Sequence, residues 1–441
     1  MDLSGPAVPA NRARFSLAPG EVPADDPLPR RRLLSEPGIG GRIKERPEDF
    51  LVDEIPLYQP GGEGEHLYLL VQKRSMPHLE LIDTLARHYK VREDAIGFAG
   101  MKDKAAITRQ MVSIHLPGTA TPRPPEPNER LQVLWEARHG NKLRRGHLVG
   151  NRFAIRIRGV EPTIAPRVLR SLRSLEASGI PDYYGSQRFG YRRNTHRLGR
   201  FVVNRDHASL LSELVGTRSP FPEHQREARE RFEAGAFAES IPHWSRNDRA
   251  ERTVLRELAA GRGPDAAVRA IHPTMRQFWV SAFQSAIFNR TLDRRLDDGL
   301  LATIEVGDVA YKHPGHGQFL VTGAIAAAED LAARVASFEI SPSGPMFGKG
   351  MIAATGAVAE RELAAAAEIA PDAHRLFAEG SDVEGTRRPF RVRVTNIEID
   401  SGLDEHGNYL RLAFDLPRGA YATVLLRELM GDSDAVGEDA E

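Results

Sequence analysis

The sequence predicts an α+β fold in which one domain is inserted into another. Two observations favour this architecture. Alternating apolar and polar residues, typical of half-buried strands, recur before residue 182 and again after residue 388. The residues between these two segments have a mostly helical pattern. We therefore predict one domain from residues 38–182 and 388–431, interrupted by an insertion over residues 183–387.

The two ends of the chain differ from these domains in composition. Residues 1–37 are rich in Pro, Ala and Arg, which favours a flexible N-terminal arm. Residues 432–441 are acidic and poor in apolar side chains, which favours a disordered tail.

The periodicity of apolar residues assigns the individual elements. Strands are predicted at residues 50–55, 67–71, 130–136, 150–158 and 410–414. Helices are predicted at residues 78–90, 277–296, 324–335, 357–368 and 424–430.

Composition excludes several classes of protein. The chain has 441 residues, a formal net charge of zero and no cysteine. Disulfides, cysteine nucleophiles and thiolate metal sites are therefore impossible. There is no apolar run of the ~18 residues that span a bilayer, and the N-terminus lacks a signal-peptide pattern. A cytoplasmic protein is the expected class.

One stretch, residues 97–110, has the composition of a site. Two glycines, Gly97 and Gly100, precede Asp103, which stands between Lys102 and Lys104. Neighbouring positive charge favours the ionised form of a carboxyl group, and a positioned carboxylate is a nucleophile or a base. The alternative is a solvated turn in which the aspartate bonds to its own backbone. On local chemistry alone the turn is favoured.

Two stretches without acidic residues carry many arginines. Residues 138–158 contain six arginines and Lys142, and residues 184–205 contain six arginines with Tyr184, Phe189 and Tyr191 between them. Basic side chains with interleaved aromatic rings suit a phosphate backbone and unstacked bases. The arginines are therefore predicted to grip phosphates, although arginines on a solvated strand face would look the same.

Several motifs occur together in the order found in one family. They lie at residues 46–50, 62–66, 97–110, 150–153, 183–190 and 416–428. On these motifs the chain resembles the TruD family of tRNA pseudouridine synthases, over about residues 38–431. One departure is the pair Pro77 and His78, where the family usually has Asn-Thr at the start of a helix.

The resemblance implies a fold, a reaction and a set of residues. The fold is a pseudouridine synthase catalytic domain with a mixed, largely antiparallel sheet, interrupted by an inserted α/β TRUD domain. The reaction is isomerisation of uridine to pseudouridine in tRNA, typically at uridine 13, after the base has been flipped out of its stack. Asp103 matches the catalytic aspartate. Substrate-binding residues are expected at Lys44, Lys102, Asn151, Phe153, Gln187 and Arg188.

The resemblance also suggests particular roles. Lys44 is a candidate to hold Asp103 ionised, and Phe153 would stack on the target base, although from pattern alone Phe153 is equally a core residue. No metal or cofactor is expected, tRNA is the expected partner, and a monomer is expected.

Two other functions fit parts of the pattern. A non-catalytic RNA-binding or RNA-chaperone protein would use the same basic residues without needing Asp103. A carboxylate-dependent hydrolase would need a second acid, for which Glu48, Asp49 and Glu54 are the nearby candidates. The sequence leaves open the RNA, the uridine and the atom that Asp103 attacks.

Overall fold

The computed structural model describes residues 23–102, 104–118, 122–371, 373 and 382–431. The chain divides into two compact units. We call residues 33–182 and 392–431 the sheet unit, and residues 23–32 and 183–391 the helical unit. The acidic tail, residues 1–22 of the arm, and Asp103 lie outside the described residues.

The strands and helices are as follows. The strands are β1 (Phe50–Pro56), β2 (His66–Arg74), β3 (Ile96–Phe98), β4 (Ile107–His115), β5 (Leu131–His139), β6 (Leu148–Arg158), β7 (Ile180–Pro181), β8 (Val309–Lys312), β9 (Gln318–Leu320), β10 (Ile340–Met346), β11 (Thr386–Pro389), β12 (Arg391–Val392), β13 (Thr395–Asp404) and β14 (Gly407–Pro417). The helices are α1 (His78–Tyr89), α2 (Ala165–Ser178), α3 (Thr195–Asn204), α4 (His207–Val215), α5 (Arg226–Glu233), α6 (Phe237–Ser240), α7 (Arg249–Ala259), α8 (Pro264–Ala270), α9 (Pro273–Asp297), α10 (Gly323–Ala326), α11 (Leu331–Ala336), α12 (Gly356–Ile369) and α13 (Ala422–Met430).

The sheet unit is built on a sheet of order β13-β14-β6-β1-β4-β2-β5, with β3 paired to β4. The pair β1–β4 is parallel, and the other pairs in this sheet are antiparallel. The prediction of a mixed, largely antiparallel sheet is therefore confirmed.

The alternation of side chains along β1 decides what this sheet buries. Phe50, Val52 and Glu54 point to the buried face, and the residues between them are more exposed. The register places Val52 opposite Thr108 of β4 and Phe153 of β6. Because successive strand residues point to opposite faces, the side chains of these three residues lie on the same face of the sheet. Helices α1, α2 and α13 contribute apolar side chains to the cores on this sheet.

The helical unit has α9 at its centre. This helix is buried along most of its length, and Ala282, Phe283, Ala286 and Ile287 are fully covered. Phe278, which the sequence placed in the same buried stripe, is instead 38% exposed because it lies in the second turn, before the covered part begins. A small antiparallel sheet of order β11-β10-β8-β9 completes the unit.

The helix predicted at residues 324–335 is wrong as a single element. The chain forms two short helices, α10 and α11, with a turn at residues 327–330. Alanine favours helix formation but supplies little apolar area, so packing against the unit decides where such a helix breaks.

The described part of the arm is held by hydrogen bonds. The backbone N–H groups of Arg30 and Arg31 donate to Asp293 Oδ1 at 2.9 and 3.1 Å in the helical unit. In the sheet unit, Leu34 N–H donates to Glu428 Oε2 at 3.0 Å. Composition alone does not reveal these contacts, because their acceptors lie in α9 and α13.

Candidate active site

The stretch around Asp103 connects two paired strands of the sheet unit. On its N-terminal side β3 pairs with β4, and Gly97 lies opposite Ser113. A Cβ at Gly97 would lie 2.2 Å from the carbonyl oxygen of Leu143, so only glycine fits at this contact. Asp103 itself lies outside the described residues. The site is therefore described through the contacts of the residues next to Asp103.

Lys102 is buried and ion-paired. It is 8% exposed, and its Nζ donates to Glu54 Oε2 at 2.9 Å. The other oxygen of Glu54 accepts from the backbone N–H of Met111 at 3.2 Å. The charge of Lys102, which the sequence assigned to the surroundings of Asp103, is thus balanced by a carboxylate on β1. Removing one partner from such a buried pair costs about 3–5 kcal/mol.

A second buried lysine holds the backbone of Lys102. Lys73, at the end of β2, donates from Nζ to the carbonyl oxygen of Lys102 at 3.1 Å and to that of Met76 at 2.7 Å. The residue immediately before Asp103 is therefore fixed through both its side chain and its carbonyl group. Sequence reasoning missed Lys73 as a functional residue and considered Glu54 only as a hydrolytic acid. Each lies at the next inward-facing position of a strand whose preceding inward-facing residues are apolar. This position could have identified both residues from the sequence.

Lys44 lies in the left-handed region of the backbone, with φ of 57°. Its ammonium group is 4.3 Å from the centroid of the Phe50 ring, a cation–π distance. Its expected pairing with Asp103 is a prediction that the described residues do not test.

Asn151 and Phe153 point to the same face of β6 and lie opposite Glu54 and Val52 of β1. The ring of Phe153 is stacked on Phe414, with centroids 5.5 Å apart, and meets the edge of Phe50. Only 7% of Phe153 is exposed. Its ring is therefore part of the core, and a base would reach only its remaining edge.

The side-chain oxygen of Asn151 is buried and has no hydrogen-bond partner in the described part of the chain. An unpaired buried acceptor costs about 1–3 kcal/mol. The site therefore offers a bound donor an acceptor next to the Lys102–Glu54 pair.

His78 occupies the position where the sequence departs from the family pattern. It begins α1, is 7% exposed, and packs edge-on against Phe98 with centroids 4.4 Å apart. Burial, together with the charges of Lys73, Lys102 and Arg145, lowers the pKa of His78 to about 4. The ring is therefore neutral at physiological pH.

Gln187 and Arg188 lie in the helical unit, on a short 3-10 helix at Ser186–Phe189. Gln187 is exposed. Arg188 donates from Nε to Ser285 Oγ at 3.1 Å and from Nη2 to Ser281 Oγ, and its guanidinium lies between the rings of Tyr184 and Phe278. The four other expected substrate-binding residues belong to the sheet unit.

The prediction that the arginines of both basic stretches grip phosphates is wrong for several of them. Arg158 is buried and donates to Asp49 at 2.6 and 3.1 Å and to Asp404 at 2.6 Å. Three more arginines bind protein groups, namely Arg152 with Asp415 and Glu398, Arg192 with backbone carbonyls near Glu213, and Arg197 with Asp25. Carboxylates from distant parts of the chain neutralise Arg152, Arg158 and Arg197, whereas Arg192 donates to backbone carbonyls.

The carboxylates that a hydrolase would need are also engaged. Asp49 is fully buried against Arg158, and Glu54 is paired with Lys102. Glu48 is paired with Arg74. Within the described residues, no three His, Cys, Asp or Glu side chains gather to hold a metal ion. No helix in the described ranges is long and apolar enough to cross a bilayer.

Comparison with known proteins extends over most of the chain. The profile of the family tRNA pseudouridine synthase D (TruD) matches residues 30–429. The tRNA pseudouridine synthase D of Geobacter sp. (strain M21) is 41% identical over 408 residues, covering 89% of this chain and 97% of the relative. That of Anaeromyxobacter sp. (strain Fw109-5) is 37% identical over 413 residues, covering 92% and 96%.

A solved structure agrees with these sequence matches. The crystal structure of a protein assigned to TruD from Methanosarcina mazei superposes with a TM-score of 0.77 at 27% identity. The similarity covers 93% of this chain and 98% of that one.

Proposed function

Because the chain belongs to the TruD family of tRNA pseudouridine synthases, we propose that it isomerises uridine 13 of tRNA with Asp103 as the catalytic carboxylate. In this reaction the bond from C1′ to N1 breaks, the uracil turns, and a new bond joins C1′ to C5. The proton on C5 is released, and N1, freed from C1′, takes up a proton. The reaction takes place in the cytoplasm, where its tRNA substrate is found, and the chain acts as a monomer without metal or cofactor.

The observation that carries the role of Asp103 is the network around Lys102. Lys73 and Glu54 hold the preceding residue from two sides in a buried environment. A catalytic group must be kept in its productive geometry, and buried contacts of this kind restrict the backbone that carries it. A solvated turn needs no such support, so the network favours the catalytic interpretation.

The target uridine leaves its stack before it reaches Asp103. Unstacking costs a few kcal/mol, part of which contacts with the flipped base recover. Asn151 offers an unpaired acceptor to the base, and Phe153 offers its exposed edge. Lys44 supplies positive charge on this side, and Lys102, paired with Glu54, fixes the backbone next to Asp103. Gln187 and Arg188 contact the RNA from the helical unit.

The test of Asp103 is tritium release from tRNA labelled at C5 of uridine, since loss of the C5 proton accompanies each turnover. We expect Asp103→Ala and Asp103→Asn to lower the rate at least about 10²-fold, the usual size of a lost acid–base or nucleophilic group, while RNA binding is retained. Asp83→Asn is the matched control, because Asp83 lies on the exposed side of α1 and pairs with Arg87 at 2.8 Å.

The outcomes separate the parts of the proposal. Release that continues in both Asp103 variants would refute catalysis by this carboxylate. A tRNA transcript with cytidine at position 13 should give no product, and undiminished pseudouridine formation in it would move the target to another uridine.

A further inference from the structure

The sheet unit contains a cavity of about 510 Å³ that the proposed catalytic residues do not line. Its walls include the rings of Tyr58, His139 and His147 and the basic side chains of Lys142 and Arg144. Among its described lining residues there is no carboxylate. Aromatic rings beside unbalanced positive charge are the chemistry that recognises a nucleotide.

A cavity of similar size in the helical unit shows the opposite lining. It measures about 450 Å³ and is lined by five arginines and four carboxylates. These groups neutralise one another, as in the pairs Arg31–Asp297 at 2.6 Å and Arg290–Asp293 at 2.9 Å. A polyanion gains little from such a site. The absence of acids therefore distinguishes the first cavity from an ordinary charged depression.

His139 of the first cavity contacts Gly61 and the adjoining glycine-rich motif at residues 62–66. Gly61 N–H donates to His139 Nδ1 at 3.1 Å, so the ring proton of neutral His139 is carried by Nε2. Gly64 lies directly against the backbone of His139 and Gly140, where a Cβ would meet atoms at 2.5 Å. The motif thus presents a fixed N–H donor, a role that the catalytic chemistry does not explain.

The tyrosine in this cavity is held as well. The ring of Tyr58 lies 5.3 Å from that of His139 at an angle of 30°. Its hydroxyl forms hydrogen bonds with Tyr68 at 3.1 Å and with His147 at 3.0 Å. An aromatic surface fixed before binding loses little conformational entropy when a base stacks on it.

The cavity is joined to the stretch that carries Asp103. Gly146 N–H donates to the carbonyl of Ala99 at 2.8 Å, and Leu143 N–H donates to Ser113 Oγ at 2.9 Å. Arg145, next to the lining residue Arg144, lies over the ring of Phe98 at 5.3 Å. The loop that builds the cavity and the loop that presents the catalytic carboxylate are therefore one hydrogen-bonded assembly.

We propose that this cavity binds a nucleotide of the substrate RNA adjacent to the flipped uridine. The phosphodiester is held by Arg144, Lys142 and the Nε2–H of His139, and the base lies against Tyr58. This inference rests on the proposed function, since it takes the bound polyanion to be the RNA substrate. Through the 97–102 loop, the site sets the position of the target nucleotide relative to Asp103.

The experiment measures the dissociation constant for unmodified tRNA in an Asp103→Asn background, so that binding is read without turnover. We expect Arg144→Gln to weaken binding about threefold to tenfold and to lower the slope of log K against log salt by about one. The control Arg92→Gln removes one positive charge from the same unit, at an exposed residue paired with Asp94, and should change neither quantity. Equal behaviour of the two variants would overturn the proposal.

A second measurement tests the aromatic wall. RNA carrying 4-thiouridine is photo-crosslinked to the same protein, and the attached peptides are identified. Crosslinks to the peptides containing Tyr58 or His139, reduced by Tyr58→Leu and kept by Tyr58→Phe, support the site. Uridine 5′-monophosphate is the comparison ligand: its binding at the cavity together with unchanged tRNA affinity in Arg144→Gln would indicate an isolated anion site and refute an RNA contact. Loss of tritium release in Asp103→Asn is scored separately, so the two proposals can fail independently.

Discussion

Two arginine-rich stretches look alike in the sequence and differ in the structure. In residues 184–205, Arg192 is buried among backbone carbonyls and Arg197 is paired with Asp25. In residues 138–158, the strand arginines Arg152 and Arg158 are also paired, whereas Arg144 and Arg145 in the preceding loop are exposed and have no carboxylate partner among the described residues.

The difference teaches that a stretch without acids does not by itself predict a free positive surface. A strand or helix brings its arginines against neighbouring elements, and those elements supply the acids. A loop that projects from the sheet meets fewer neighbours. Within residues 138–158, the exposed arginines that have no carboxylate partner among the described residues are therefore in the loop, which is also the segment bonded to residues 97–102.

The largest expected effect concerns the arginines that are paired with carboxylates. Arg158→Leu should lower the free energy of unfolding of the sheet unit by about 3–5 kcal/mol, because Asp49, fully buried, loses its hydrogen-bonded partner. Hydrogen exchange of β6 amides measures the change. The double variant Arg158→Leu with Asp49→Leu should recover much of the loss, since it removes the uncompensated charge. A loss below about 1 kcal/mol, the value of a surface ion pair, would mean that Arg158 is not held in a buried ion pair and belongs with the unpaired arginines.

The next largest effect concerns His78, whose pKa is influenced by the charge of Arg145, one of the two loop arginines without a carboxylate partner among the described residues. Burial and the charges of Lys73, Lys102 and Arg145 keep the pKa of His78 at about 4, below its usual value of 6.5. Above pH 6.5 the ring is neutral in both states and adds no pH dependence. Between pH 6.5 and 4 the unfolded state binds the proton first, so the free energy of unfolding falls by about 3 kcal/mol.

Two variants test this linkage. His78→Gln should remove this part of the acid destabilisation, measured as the difference in unfolding free energy between pH 7.5 and 4.5. Arg145→Gln should raise the pKa of His78, followed through its ring Cε1–H resonance by NMR. If the pKa of His78 stays unchanged in Arg145→Gln, the charge of Arg145 does not reach the site.

The sequence predicted the elements of the sheet better than their arrangement. Alternation is a local property, so β1, β2, β6 and β14 could be located from it. Strand order and register depend on contacts between distant residues. The same limit applies to the site. Glu54 and Lys102 are 48 positions apart, and Arg158 and Asp404 are 246 apart, so neither pair is visible in a local pattern.

Part of the site could nevertheless be predicted from the sequence. Lys73 follows Leu67, Leu69 and Val71 at inward positions of β2, and Glu54 follows Phe50 and Val52 in β1. A charged residue that continues a buried alternation must be paired or functional, because an isolated buried charge is too costly. The burial of Phe153 was not predictable in this way, because a phenylalanine at an inward position fits a core and a stacking site equally well.

The smallest expected effect separates the two stretches directly in RNA binding. Arg145→Gln should lower the slope of log K against log salt by about one, because a free guanidinium near the RNA releases one counterion on binding. Arg197→Gln should leave the slope nearly unchanged, because Asp25 already neutralises that guanidinium at 2.5 and 2.8 Å. The variant Arg197→Gln with Asp25→Asn keeps the net charge and controls for an unpaired aspartate. Slopes are taken from tRNA titrations at four or more salt concentrations. Equal reductions in Arg145→Gln and Arg197→Gln would mean that net charge alone governs binding, and the distinction between paired and free arginines would then not extend to function.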